Sequence, residues 1–234
     1  AGSFEQGLGM AAHHLGIHRA HTATDHQPGG GFAYNEEELV EIGTNAFRLS
    51  PVRQVLVEHN HFNDLQKRHH LYGLLQRAAE QGAIPIINYN DCVSDEENRK
   101  MELTTLQAQH PDQPVVECVD NDETAAVVAE LVHTKRLILL TSTEGIYRVP
   151  GDPATLVRDV FAGDVEEMER KVRELQESCV GTSRAGSGGA RAKLEYALQC
   201  VRNGTTVIIG NAKHRLSDLT EGRVPCTRIG LTTS

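Results

Sequence analysis

The sequence predicts an α/β fold built on a mostly parallel sheet covered on both faces. Short apolar runs alternate with helix-patterned segments along most of the chain. The runs, such as Ile84 to Ile87 and Leu137 to Leu140, lack polar alternation, as strands buried on both faces do. The clearest unit spans Asp120 to Tyr147. Asp120 and Asn121 are favoured helix caps, Ala125 through Val132 form an apolar helical stretch, Leu137 to Leu140 follow as a strand, and Glu144-Gly145 marks a turn. Ligands of open α/β sheets sit beyond the carboxyl ends of the strands, so chemistry is expected just before such a helix and just after such a strand.

Taken in order, the 234 residues can bury a sizeable core and show no composition break, so a single domain over residues 1–234 is expected. The chain starts at Ala1 without an initiator methionine, and a processed or truncated start is the expectation. Residues 5 to 20 are predicted helical, with Leu8, Ala12 and Leu15 on one side. His21 to Asn35, containing Gly29-Gly30-Gly31, reads as a loop. With no strand before it and no Gly-Lys-Ser/Thr after it, a flexible connection fits better than a phosphate cradle. Glu36 to Phe47 is an acid-opened helix stopped by Pro51. Val52 to Val57 is a strand, Asn63 to Gln81 a helix capped by Asn63, and Ala83 to Tyr89 a strand. Residues 94 to 113 are polar with no clear period, which suggests a surface hairpin or lid.

Past Tyr147, Val149 to Asp152 is a turn, and Val165 to Gln176 is a charged helix with Met168, Val172 and Leu175 inward. Gly181 to Gly189 is a small-residue loop, and Ala190 to Asn203 a helix stopped by Asn203-Gly204. Thr205 to Ile209 is a strand, Leu216 to Gly222 a helical turn, and Val224 to Ile229 the last strand.

A net charge of -9 and a pI near 5.7 argue against a nucleic-acid or anionic-membrane partner. No apolar run could span a bilayer and no leader pattern opens the chain, so a cytoplasmic protein is expected. Five scattered cysteines without a Cys-x-x-Cys pair favour free thiols in a reducing compartment. Of the twelve histidines, His14, His18 and His21 fall on one helical face, where imidazoles can bind zinc. No Cys, Asp or Glu completes a ligand set there, so a solvated face is the reading and no protein-held metal is expected.

Three polar clusters fall at element junctions. Asn88-Tyr89-Asn90-Asp91 ends a strand, and its amides and carboxylate suit the ammonium and carboxylate of a small polar ligand, the water shell of a metal ion, or a plain turn. Asp120-Asn121-Asp122 opens a helix, where one carboxylate suffices as a cap and a second can position a cation or a lysine. In Gly181 to Lys193, Gly188 and Gly189 lead into a helix carrying Lys193 one turn in, a pattern that suits phosphate as well as it suits a flexible linker.

Together these clusters resemble the amino-acid kinase family, most closely its glutamate 5-kinase branch. Ile84 to Asp91 is similar to that branch's Pro-Ile-Ile-Asn-Glu-Asn-Asp segment, with Tyr89 in place of Glu. Asp120-Asn121-Asp122 matches its Asp-Asn-Asp, Leu137 to Tyr147 its Leu-Ile-Leu-Leu-Thr-Asp-x-x-Gly-Leu-Tyr, and Gly188 to Lys193 its Gly-Gly-Met-x-x-Lys. The resemblance runs from about residue 52 to 230. It implies an α/β/α sandwich, with ATP and Mg2+ as cofactors, and transfer of the γ-phosphoryl group to the γ-carboxylate of glutamate, as in proline biosynthesis. It implies that Lys193 holds the phosphoryl group, that Gly188 and Gly189 present N–H groups, and that Thr141 and Ser142 border the nucleotide. Asp122 would orient lysines, while Asn88, Asp91, Asp120 and Asn121 would bind the amino acid. A homo-oligomer is expected.

The chain departs from the family pattern in two places. Ser142 stands where an Asp is usual, and the first strand with its Lys-x-Gly-Thr/Ser loop has no counterpart in these residues. A sheet lacking that strand would carry unpaired backbone groups, so a lost segment or an impaired protein is the expectation. The alternatives are a non-catalytic ligand-binding or regulatory member of the fold, and a kinase of a phosphate or phosphonate substrate.

Overall fold

A computed structural model describes residues 51–90, 96–109, 111, 115–118, 120–149, 151–178 and 189–232. The readings for the first 50 residues, including the helices, the glycine loop and the histidine face, lie outside the described residues, as do Asp91 and the loop from Gly181 to Gly188. The chain divides into two compact units, one ending at Asn121 and the other beginning at Asp122. Among the described residues no helix is long and apolar enough to cross a membrane.

The first unit holds strand β1 (Val52–Val57), the single turn α1 (Asn60–Asn63), helix α2 (Leu65–Glu80), strand β2 (Ile84–Tyr89) and helix α3 (Glu96–Gln109). β1 and β2 pair in parallel, with Val52 opposite Ile84 and Val57 opposite Tyr89. A parallel pair needs a crossover, and α2 provides it, burying Leu71, Leu75 and Ala78 at helical spacing. The cap of α2 is Asp64, not Asn63 as the sequence suggested. Asp64 Oδ1 accepts from the N–H groups of Gln66 and Lys67 at 2.8 and 2.9 Å. Asn63 is instead committed to a distant partner. Its Nδ2 donates to the carbonyls of His59 (2.9 Å) and Val116 (2.8 Å), and its Oδ1 accepts from Val116 N–H at 2.9 Å, pinning the segment that leads to Asp120.

Residues 94 to 113 also differ from expectation, because they contain α3 rather than a hairpin or lid. Its exposed Met101 and weak apolar stripe left the helical period hard to see. Polar contacts hold it: the Arg99 guanidinium lies 5.1 Å from the centre of the Tyr89 ring, and Glu102 meets His59 Nε2 at 3.1 Å.

The second unit holds α4 (Asn121–Leu131, counted from the last residue of the first unit), β3 (Arg136–Thr141), β4 (Ile146–Tyr147), β5 (Leu156–Val157), β6 (Asp159–Ala162), α5 (Val165–Ser178), α6 (Ala190–Arg202), β7 (Thr206–Asn211), α7 (Leu216–Thr220) and β8 (Cys226–Leu231). Four strands form a sheet in the order β3-β7-β8-β6, parallel except where β7 meets β8. Alternate residues of these strands feed two cores. Leu139, Val207, Ile209 and Ile229 face the larger, with Met168, Val172 and Leu175 of α5 and Leu194, Ala197, Leu198 and Val201 of α6. Ile208 and Cys226 face the smaller, closed by Leu219 of α7. Gly210 permits that closure, since a Cβ there would lie 2.4 Å from Leu219 Cδ2.

The strand Leu137 to Leu140, the inward positions of α5 and the stop at Asn203-Gly204 fall where the sequence puts them. The sequence reading had no counterpart for β4, β5 and β6, whose two to four residues are too short to show a period.

His59 is almost fully buried, and burial lowers its pKa below the ordinary 6.5 despite the carboxylates of Glu102 and Glu58; Arg99 and Lys67 push the same way as burial. A histidine that resists protonation when folded takes up its proton first in the unfolded chain. Its contribution to stability is therefore complete above pH 6.5 and is lost as the pH falls from there toward the lower folded value. Urea unfolding at pH 7.5 and 5.5 should show stability falling with acidification, and His59→Gln should have the smaller fall. An equal fall in both would remove His59 as the cause.

Candidate functional site

Chain reversal sets the geometry of the second unit. Helix α4 reaches β3 through a tight turn in which His133 has φ 51°, and α6 reaches β7 through Asn203-Gly204, with Gly204 at φ 80°. Each helix runs back along the strand that follows it, so both helix N-termini lie at the carboxyl ends of β3 and β7, which are parallel with Thr141 opposite Asn211. Side-chain pairs track the two helices: Asp122 meets Lys193 near their starts, and Gln199 Nε2 donates to Glu130 Oε2 at 3.1 Å further along.

The Lys193–Asp122 contact is the chemical centre of this edge. Lys193 Nζ donates to Asp122 Oδ2, and both side chains are partly buried, at 22% and 16% exposure. The first turn of α6 carries no acidic residue, and Gly189, at its N-cap, makes no side-chain cap hydrogen bond to the first N–H groups. The helix dipole disfavours a cation in that turn. Asp122, in the favourable first turn of α4, supplies the opposing charge. A glycine-led helix N-terminus beside an anchored ammonium is an arrangement that suits an anion.

The two strand ends are joined through their loops. Ala212 N–H donates to Thr141 O at 2.9 Å, and Asn211 Nδ2 donates to Ser142 O at 2.9 Å. Glu144 takes a hydrogen bond from Lys213 Nζ on Oε1 and meets His214 Nε2 at 2.6 Å on Oε2. Burial raises the Glu144 pKa, but the bonds from Lys213 and His214 outweigh it and hold the carboxyl below its ordinary value. The turn carrying Glu144 is seated on β8. The Thr227 hydroxyl, fully buried, accepts from Ile146 N–H at 2.8 Å and donates to Val157 O at 2.5 Å, and a Cβ on Gly145 would fall 2.4 Å from it.

At the carboxyl ends of β1 and β2 in the first unit, Asn88 is a half-buried residue of β2, one position before the buried Tyr89. Asn90 Nδ2 donates to Glu58 Oε1 at 3.0 Å, and Asn60 Nδ2 to Glu58 Oε2 at 3.2 Å. Asp120 and Asn121 close this unit, with α4 opening at Asn121.

Of the residues singled out from the sequence, the structure brings Asp122 and Lys193 into contact, and it sets Thr141, Ser142 and Gly189 at the same edge of the second unit. Asp91 and Gly188 lie outside the described residues. Sequence reasoning missed Glu144, Asn211, Lys213 and His214, whose partners lie about seventy residues away along the chain. The polar run after the strand at 205 to 209 was the available signal. Among the described residues no group of three or more His, Cys, Asp or Glu could hold a metal ion.

The family model described as "Amino acid kinase family" matches residues 33–211. The glutamate 5-kinase of Geobacillus thermodenitrificans is 32% identical over 181 residues, 76% of this chain and 42% of that protein. That of Shouchella clausii is 29% identical over 203 residues, 85% of this chain and 48% of that protein. The chain thus spans about half the length of these relatives. Among solved structures, carbamate kinase from Giardia lamblia bound to AMP-PNP shares the fold, with a TM-score of 0.50 and 15% identity over 84% of this chain and 72% of that one.

Gly145→Ala should destabilise the second unit by about 1–3 kcal/mol, since Thr227 and its backbone cannot retreat without breaking buried hydrogen bonds. Thr227→Val should cost about as much, by leaving Ile146 N–H unpaired. Chemical denaturation of both variants checks this; wild-type midpoints would contradict it.

Proposed function

Because the chain belongs to the amino acid kinase family, we propose that it transfers the γ-phosphoryl group of ATP to a small carboxylate, glutamate first. The Lys193–Asp122 pair at the glycine-led start of α6 carries this reading. A carboxylate oxygen of the acceptor attacks the γ-phosphorus, the bond from that phosphorus to the β–γ bridging oxygen breaks, and an acyl phosphate and ADP result. Charge spreads over the phosphoryl oxygens during transfer, so a positioned cation and open N–H groups lower the barrier. Lys193 is that cation, and Asp122 holds its ammonium in place. Gly189, with Gly188 before it, gives the phosphates access to the backbone.

Thr141 and Ser142 border the nucleotide at the end of β3. Asp120, Asn121, Asn88 and Asp91 take the amino and carboxylate groups of the acceptor. The described carboxylates Asp122 and Glu144 are each bonded to a cationic side chain. The residues present therefore fit a magnesium ion that is carried mainly by the nucleotide phosphates, as Mg2+ usually is, and supplies neutralising charge there. Glutamate as acceptor is supported by the matches to glutamate 5-kinases.

Hydroxylamine trapping tests the reaction. With ATP, Mg2+ and glutamate the full chain should yield γ-glutamyl hydroxamate, and Lys193→Met should lower the rate by about a hundredfold or more. Asp122→Asn should lower kcat with a smaller effect on KM for ATP, since it frees the lysine without removing it. ATP binding without hydroxamate from any carboxylate would support a non-catalytic member of the fold.

A further inference from the structure

The single turn α1, between β1 and α2, is bonded toward both polar clusters that the kinase reading gives to the acceptor. Its own place is fixed. Phe62 is buried within it and the buried His59 precedes it, so the turn cannot shift without moving core side chains. From its start, Asn60 Nδ2 donates to Glu58 Oε2 at 3.2 Å, and Glu58 Oε1 accepts from Asn90 Nδ2 at 3.0 Å. Asn90 N–H also donates to Val57 O at 2.8 Å, which ties the segment after Asn88 to β1 through backbone and side chain alike. From the end of the turn, Asn63 acts as a neighbouring strand would. Its carboxamide accepts from the N–H of Val116 at 2.9 Å and donates to the carbonyl of the same residue at 2.8 Å. Val116 lies four positions before Asp120. Between them the buried Cys118 has φ 54°, a left-handed conformation that a non-glycine residue keeps only where its surroundings impose it.

Between the two clusters the chain makes the excursion that carries α3. That helix meets the strand ends through Arg99 and through Glu102, whose side chain is mostly exposed, and a contact of the latter kind holds weakly. The return of the chain to Asp120 takes its position from Asn63 instead. We propose, resting on the kinase reading above, that Asn63 and Asn60 are positioning residues for the acceptor, and that α1 sets the spacing between the cluster ending β2 and the pair Asp120-Asn121. A fixed spacing selects an acceptor of one length, because a carboxylate displaced by about 1 Å from the phosphorus reacts far more slowly. Glutamate is then favoured over aspartate, which is one methylene shorter.

Hydroxamate kinetics of the full chain with ATP, Mg2+ and either glutamate or aspartate test this. Asn63→Leu, close in size but unable to hydrogen-bond, should raise KM for glutamate about tenfold or more and leave KM for ATP within about twofold. It should also narrow the kcat/KM preference for glutamate over aspartate by about tenfold. Asn60→Ala should act in the same direction to a smaller extent, and it carries the test if Asn63→Leu fails to fold. Asp64→Ala is the control for stability alone, since the Asp64 side chain caps α2 through Gln66 and Lys67. It should lower the melting temperature and leave KM for glutamate and the preference over aspartate as in wild type. Wild-type kinetics in the folded Asn63 and Asn60 variants, or an equal rise in KM in Asp64→Ala, would overturn the positioning role alone. Wild type that forms no hydroxamate from either acid would overturn the kinase reading along with it.

Discussion

In a parallel β-sheet each strand is entered from a helix that has run back along it, so the helix N-terminus returns to the strand's carboxyl end. The pairing of β3 with β7, Thr141 opposite Asn211, places two such N-termini side by side. Helix amides and the positive ends of two dipoles then meet at one edge, where an anion is favoured. Lys193 adds positive charge where a helix tolerates it least, and Asp122 supplies the compensation. The pair stands or falls with the strand register, because a slip of one residue would turn every core side chain of β3 to the wrong face.

The remainder of the second unit serves that edge. α5 and α6 lie antiparallel, as the contacts of Glu169 with Arg202 and of Gln176 with Glu195 require, and they cover the larger core. Thr227, buried and bonded on both sides, ties the short strands β4 and β5 to β8 and so fixes the turn bearing Glu144. Removing that hydroxyl would disturb a surface turn through a buried residue.

The first unit repeats the logic with different chemistry. Its parallel strands end in a carboxamide and carboxylate cluster, in which Asn60 and Asn90 converge on Glu58. Asn63 takes both hydrogen bonds of Val116, a backbone-like service from a side chain. That commitment explains why the neighbouring Asp64 caps α2, though both residues are good caps by type.

Local patterns determined much of this protein. Apolar runs marked the strands, helical spacing placed Met168, Val172 and Leu175 inward, and Asn203-Gly204 ended α6, because each depends on residues only a few positions apart. The same logic singled out Asp122 and Lys193, each a polar residue at a helix start. Their contact across seventy-one positions was a matter for the tertiary structure. So were the helix at Glu96–Gln109, whose apolar stripe is weak, and the two-residue strands, too short to carry a period. The Glu144–Lys213–His214 cluster is the plainest case. It exists because two strands distant in the chain lie parallel, and periodicity in sequence carries no record of which strands become neighbours.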